Sequence, residues 1–273
     1  MRLEPDLSCG QAGDLSIYFF SSFDAHHAGQ PVNSRLSGKA RQLLKVLAAH
    51  YKRPLPKDAL IDILWPGADS SSGPTSLKVT VHKLRQALDP DKMGKEWVII
   101  ENGTYRLNPN VTLWIDTEAF RELYRRGCSL DADARSAEAL ECLRKAEALY
   151  RGDFLEEDMY EDWTVIRREE LRDLYLDTLN RLAQLALRQN AHADVIQYCH
   201  KIVLADPCRE DAYRMLMGSH ASLNQYARAG AWYAVCRTTL AREVGALPSM
   251  ETSRAFERMF APERFIDQLD HTA

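Results

Sequence analysis

Apolar residues along the first hundred positions change their spacing from element to element. Between Leu15 and Val32 the aromatics Tyr18, Phe20 and Phe23 and a turn-like His27-Ala28-Gly29-Gln30 predict a short antiparallel sheet. Ala40, Leu43, Leu44 and Leu47 then fall at i, i+3, i+4 and i+7, one stripe of an amphipathic helix that ends near Tyr51. A second helix is predicted from about Pro56 through Ala59, Leu60, Ile63 and Leu64, with Pro66-Gly67 as its stop. After a Ser70 to Pro74 loop, Leu77, Val81, Leu84 and Leu88 recur at helical spacing, and Asp89-Pro90 closes a third helix. Val98-Ile99-Ile100 and Tyr105-Arg106-Leu107 flank Glu101-Asn102-Gly103-Thr104, which reads as two strands around an Asn-Gly turn. Three helices and a terminal hairpin predict a winged helix-turn-helix over residues 15–110.

Past Asn110 the pattern becomes almost unbroken helical periodicity with an internal repeat. Asn190-Ala191-His192-Ala193 and Asn224-Gln225-Tyr226-Ala227 are offset by 34 residues, as are Leu182 and Leu216, Tyr198 and Trp232, and Cys199 and Tyr233. That is the tetratricopeptide period, and Asp206-Pro207 sits where such a repeat turns into the next. The fold expected is therefore mainly α with small β elements: a winged helix-turn-helix followed by an all-α tetratricopeptide-like solenoid over residues 111–260, with 261–273 as a polar tail. Trp232 and Tyr233 are expected in the solenoid core. The acidic stretch Asp153 to Asp162 is expected as a surface loop whose acids favour the next helix N-terminus while Phe154, Tyr160 and Trp163 pack inward.

Charge separates the two halves. The net charge is −4, yet residues 1–110 carry 14 Lys and Arg against 11 Asp and Glu, while 111–273 carry 21 against 28. Within Pro31 to Asn110 the count is 13 basic against 7 acidic, which points to an anionic partner for the first half alone.

The third helix is where such a partner would be read. An α-helix fits the major groove, Lys and Arg neutralise phosphates or pair with guanine, and Thr or Val can touch a thymine methyl. Its faces other than the Leu77-Val81-Leu84-Leu88 stripe carry Thr75, Ser76, Lys78, Val79, Thr80, His82, Lys83 and Arg85. Of these Thr75, Ser76, Val79, Thr80 and Lys83 are expected on an outward arc.

Lys39 to Leu47 (KARQLLKVL), Leu60 to Pro66 (LIDILWP), Val81 to Pro90 (VHKLRQALDP) and Gly103 to Leu107 (GTYRL) resemble the winged helix of OmpR/PhoB-type regulators. Leu149 to Leu155 (LYRGDFL), Trp163, Arg167-Arg168, Leu171 and Ile202 to Pro207 (IVLADP) follow in an order similar to the bacterial transcriptional activation domain of the streptomycete antibiotic regulatory protein family. The resemblance implies an activator that binds direct repeats in double-stranded DNA as a homodimer and contacts RNA polymerase, and the scattered cysteines make the reducing cytosol, a cytoplasmic location, the simplest compartment. The resemblance also implies DNA contacts at Thr75, Ser76, Val79, Thr80, Lys83 and Arg85, with Tyr105 and Arg106 in the wing. Glu101-Asn102 stands where such wings often present an arginine, and Pro56-Lys57 replaces the usual Ser or Thr cap of the second helix.

Other classes find little support. G-x-x-x-x-G-K-[ST], G-x-G-x-x-G, H-E-x-x-H and G-x-S-x-G are missing, so no enzyme, cofactor or metal site is expected. The six cysteines are scattered without a C-x-x-C pair. Leu15 to Phe20 is far too short to span a membrane. The competing class is a tetratricopeptide-like protein-interaction scaffold whose degenerate winged helix no longer binds DNA.

Overall fold

In the computed structural model, described for residues 14–260 apart from 68, 70, 71 and 91–93, the chain divides into two compact units. One comprises the residues up to Arg121 together with Leu149–Leu171, and the other Glu122–Ala148 with the residues from Arg172 onward. This division differs from the one expected at Asn110. The polar tail proposed at 261–273 lies outside the described residues.

The first unit opens with β1 (Leu15–Tyr18), β2 (Asp24–His27) and β3 (Gln30–Pro31), followed by α1 (Gly38–Ala49), β4 (Leu55–Pro56), α2 (Lys57–Leu64) and α3 (Ser72–Leu88). β5 (Val98–Glu101), β6 (Thr104–Leu107) and β7 (Leu113–Ile115) follow, and α4 (Asp116–Ala132) begins at once. The predicted stripes are the buried ones: Ala40, Leu43, Leu44 and Leu47 of α1, Leu60 and Leu64 of α2, and Leu77, Val81, Leu84 and Leu88 of α3. α3 starts earlier than its periodicity suggested, because the Asp69 carboxylate caps Ser72 N–H at 2.8 Å and Pro74 sits in the first turn, where no N–H is needed. Gly73 allows α2 and α3 to approach closely. A Cβ there would lie 2.6 Å from Ile61 Cγ2.

Two small sheets flank the helices. In the second, β4 joins the predicted hairpin in the order β4-β6-β5. The first runs β3-β2-β1-β7, with β7 parallel to β1 and pairing Ile17 with Ile115. The antiparallel β1–β2 pair was expected, whereas β7 lies in the stretch expected to be helical. A three-residue strand has no periodicity of its own, and its partner is about a hundred residues away.

Directly after β7, the fully buried Asp116 accepts Phe19 N–H at 2.8 Å, Phe20 N–H at 3.0 Å and Thr117 N–H at 2.7 Å. Burial pushes its carboxyl up from an ordinary 3.8 to about 6, against the pull of those three amides and of Arg151. The segment around 154 is also part of this unit. Leu155 N–H donates to Phe19 O at 2.9 Å and Ser21 N–H to Asp153 O at 2.9 Å, while Phe154 packs on Phe19 with ring centroids 5.1 Å apart.

Ionic contacts close the unit around α1. The buried Lys45 ammonium lies 2.5 Å from Glu157 and 2.6 Å from Asp158, and Arg41 reaches Glu157 at 3.0 Å. Lys52 and Arg167 hold opposite oxygens of Glu118 at 2.7 and 3.1 Å. Burial opposes ionisation of Glu118, but these two cations keep its carboxyl below the usual glutamate range. The acids expected to favour a helix N-terminus thus include two that neutralise α1. Phe154 packs inward as expected, while Tyr160 is 99% exposed.

The second unit is built of α5 (Ser136–Leu149), the later turns of α4 and of α6 (Asp162–Arg188), and α7 (His192–Ala205), α8 (Glu210–Ser222), α9 (Tyr226–Glu243) and α10 (Met250–Met259). The repeat pairs α6 with α7 and α8 with α9 through left-handed Asn190 and Asn224, at φ 57° and 58°. In both turns the next residue donates to a carbonyl five positions back, Ala191 N–H to Ala186 O and Gln225 N–H to His220 O. A third turn matches them: Ala134 has φ 60° and Arg135 N–H donates to Leu130 O at 2.9 Å, which adds an α4–α5 pair unseen in the sequence. The core runs through Leu143, Leu179, Leu182, Ile202 and Leu216, with Trp232 packed against it. α10 caps the array, stacking Phe256 on Tyr233 at 4.1 Å.

Two predictions follow from the buried contacts of the first unit. A fragment ending at Asn110 loses β7, Asp116, Phe154 and both partners of Lys45, so we expect it to be digested far faster than the full chain in limited proteolysis; equal resistance would contradict this account. For Asp116 the folded pKa lies above the unfolded one, so its favourable contribution is complete below about pH 4 and is lost as pH rises through about 6. Asp116→Asn abolishes this titration. In urea unfolding, wild type should therefore lose on the order of 2 kcal/mol relative to the variant between pH 4.5 and 7.

Candidate nucleic-acid interface

The third helix carries the site. At 100° per residue, Thr75, Lys78, Val79, His82, Lys83 and Gln86 share the arc opposite the buried stripe, and all six are exposed. Val79 has 49% of its surface in solvent, unusual for an aliphatic residue that could have faced the core. Ser76 is half-buried at the edge of the arc. The exposed face thus offers two ammonium groups, an imidazole, an amide, a hydroxyl and an isopropyl group. These chemistries suit phosphate oxygens, base edges and thymine methyls.

Three of the expected residues do other work. Thr80 is 5% exposed and its hydroxyl donates to Ser76 O at 2.8 Å, so it belongs to the buried face. The wheel held the signal, since Thr80 stands only about 40° from Leu84. Arg85 turns toward the hairpin, where its guanidinium donates to Val98 O at 2.5 Å and lies 3.6 Å from Glu96. Tyr105 is 5% exposed and takes its place between Leu55 of β4 and Ile100 of β5 as a core residue of the small sheet. Lys78, His82 and Gln86 went unselected in the sequence although the same wheel places them outward.

The hairpin is fixed in place by its neighbours. Asn102 and Gly103 both have positive φ, 49° and 74°, as the Asn-Gly turn requires. Gly103 O accepts Lys57 N–H at 3.0 Å, tying the turn to the start of α2. That bond satisfies one of the orphan donors left by Pro56, which makes no side-chain cap. Arg106 is a half-buried cation of the wing, and Glu101 holds it at 3.1 Å. The acidic residue at the turn therefore pairs with the arginine that was expected to meet a phosphate.

Comparison with known proteins places these elements in context. The bacterial transcriptional activator domain family matches residues 115–259, and the family described as transcriptional regulatory protein, C terminal, matches residues 29–107. Regulatory protein AfsR of Streptomyces coelicolor is 27% identical over 216 residues, covering 78% of this chain and 21% of its own length. Regulatory protein AfsR of Streptomyces griseus is 25% identical over 233 residues, covering 85% of this chain and 23% of its own length. The chain thus spans less than a quarter of the curated relatives it matches. Among solved structures, Mycobacterium tuberculosis EmbR in complex with a low affinity phosphopeptide shares the fold, with a TM-score of 0.78 and 23% identity over 90% of this chain and 65% of that one.

The sorting of α3 side chains is open to test by stability alone. Arg85→Met removes a charged donor from Val98 O and should cost about 1 to 2 kcal/mol in chemical unfolding. Thr80→Val keeps shape and burial and should cost less than about 1 kcal/mol, and Lys83→Ala should be within about 0.5 kcal/mol of wild type. An Arg85→Met protein as stable as Lys83→Ala would return Arg85 to the exposed face.

Proposed function

Because the chain belongs to the bacterial transcriptional activator domain family, we propose that it is a sequence-specific DNA-binding transcriptional activator. The observation that carries this reading is the exposed face of α3, where Lys78, Val79, His82 and Lys83 stand outward on a helix whose opposite side is fully engaged in the core. In this reading α3 enters the major groove, Thr75, Ser76 and Val79 meet base edges, and Lys78 and Lys83 meet phosphates. Arg85 supports the wing from within, and Arg106 contributes little while Glu101 pairs with it. The protein has no chemistry of its own. It works in the cytoplasm, pairs as a homodimer on direct repeats, and recruits RNA polymerase.

The first unit is the DNA-binding body in this proposal, and it includes residues 149–171. The second unit supplies the contacts between copies of the chain through its helical repeat. A scaffold that has lost DNA binding is the competing class, favoured only by the Glu101–Arg106 pair in the wing.

The test is duplex binding of the full chain to sites selected from a random pool, measured across salt concentrations. We expect log affinity to fall linearly with log salt, and Lys83→Ala to lower the magnitude of that slope by about 1. Glu101→Gln frees Arg106 and should tighten binding at low salt, with the gain fading as salt rises. Failure to select any preferred duplex would leave the scaffold as the better reading.

A further inference from the structure

α6 begins with two faces of opposite character. Thr164, Arg168 and Leu171 point inward and are buried, while Val165 and Ile166 stand on the other side with 44% and 74% of their surface exposed. Asp162 and Glu169, one turn to either side of Ile166, are exposed too. Two β-branched aliphatic residues exposed on a helix turn lie outside the buried core and are poorer helix formers than the Lys or Glu usual at such positions. The loop before the helix extends the same kind of surface, with Met159 at 59% and Tyr160 at 99% exposure.

This loop is held rigidly. The buried Arg168 donates to Phe154 O at 2.9 Å, Leu155 O at 3.1 Å, Asp158 O at 3.2 Å and Met159 O at 3.5 Å, and to Thr164 Oγ1 at 3.0 Å. Leu155 takes a left-handed conformation at φ 49° that these bonds secure. One guanidinium therefore fixes the backbone of the segment, and Tyr160 projects from an ordered base. An aromatic presented from a pre-organised loop loses little entropy on binding, and Tyr and Met are enriched at the centres of protein interfaces.

We infer that Met159, Tyr160, Val165 and Ile166 form a docking surface for a basic protein segment that carries apolar anchors. Charge complementarity selects this occupant. Asp162 and Glu169 flank the apolar residues and would repel a phosphate backbone, whereas they would steer Lys- or Arg-rich polypeptide onto the patch. The inference rests on the activator reading, because a DNA-bound activator needs a surface that DNA rejects and a protein neighbour accepts. It assigns that surface to the start of α6 in the first unit rather than to the helical repeat.

The experiment uses the full chain on its selected duplex, with purified bacterial RNA polymerase holoenzyme as the probe in a supershift assay. Tyr160→Ala and Ile166→Ser should each weaken the supershift by at least about tenfold without changing duplex affinity or thermal stability. The double variant Asp162→Lys with Glu169→Lys should weaken it most at low salt, which separates charge steering from apolar contact. A wild-type supershift that all these variants retain would overturn the patch while leaving the activator reading intact. Duplex binding with no wild-type supershift would remove the activator reading and this inference with it. A change of sedimentation behaviour in Ile166→Ser alone, with the supershift intact, would make the patch a contact between copies of the chain and overturn the inference as stated.

Discussion

The first unit depends on a carboxylate that it buries completely. Asp116 satisfies the amides of Phe19 and Phe20 at the end of β1, and its own position is set by β7 pairing alongside β1. Without an acceptor there, two buried N–H groups would be left unpaired, at a cost of about 1 to 3 kcal/mol each. The carboxylate is itself expensive to bury, which is why its pKa rises to about 6 despite three amide donors. The fold accepts that expense because the same residue starts α4. It joins the end of one sheet strand to the start of the helix that supplies Phe120 and Glu118.

From this joint the rest of the unit is assembled by further ionic and polar contacts, several of them buried. Glu118 receives Lys52 from the turn after α1 and Arg167 of α6, Lys45 receives Glu157 and Asp158, and Arg168 gathers carbonyls between residues 154 and 159. Lys45 and Lys52 of the early chain pair with residues beyond position 115, while the Glu118–Arg167 and Arg168 contacts join later segments to one another. Breaking a buried pair is costlier than never forming it, so these contacts specify where the later segments pack as well as stabilising them. The face of α3 is left to its own pattern: the core holds Leu77, Thr80, Val81 and Leu84, the hairpin holds Arg85, and the remaining arc is free for a partner.

The second unit follows a simpler rule. Each helix pair reverses through one left-handed residue and a hydrogen bond that reaches back five positions, at Ala134, Asn190 and Asn224. The two Asn turns stood out because residue and spacing both recur at 34, whereas the turn at Ala134 has a different spacing and an alanine, which tolerates that conformation less well than asparagine. Local chemistry revealed the repeat only where the residue matched the backbone it had to adopt.

The sequence by itself determined what short-range physics controls. The stripes of α1, α2 and α3, the Asn-Gly hairpin and the helix stop at Asp206-Pro207 depend on neighbours within a few turns, and their residues carried the signal. The exposure of Thr75, Val79 and Lys83 followed from the same wheel. The tertiary structure alone decided that β7 pairs with β1 and that residues 149–171 complete the first unit. It also decided that Tyr105 is core, that Arg85 braces the hairpin and that Glu101 neutralises Arg106. Those outcomes turn on which distant group a side chain meets: a three-residue strand has no period to read, and a charged residue looks the same in sequence whether it faces solvent, DNA or a buried ion of opposite sign.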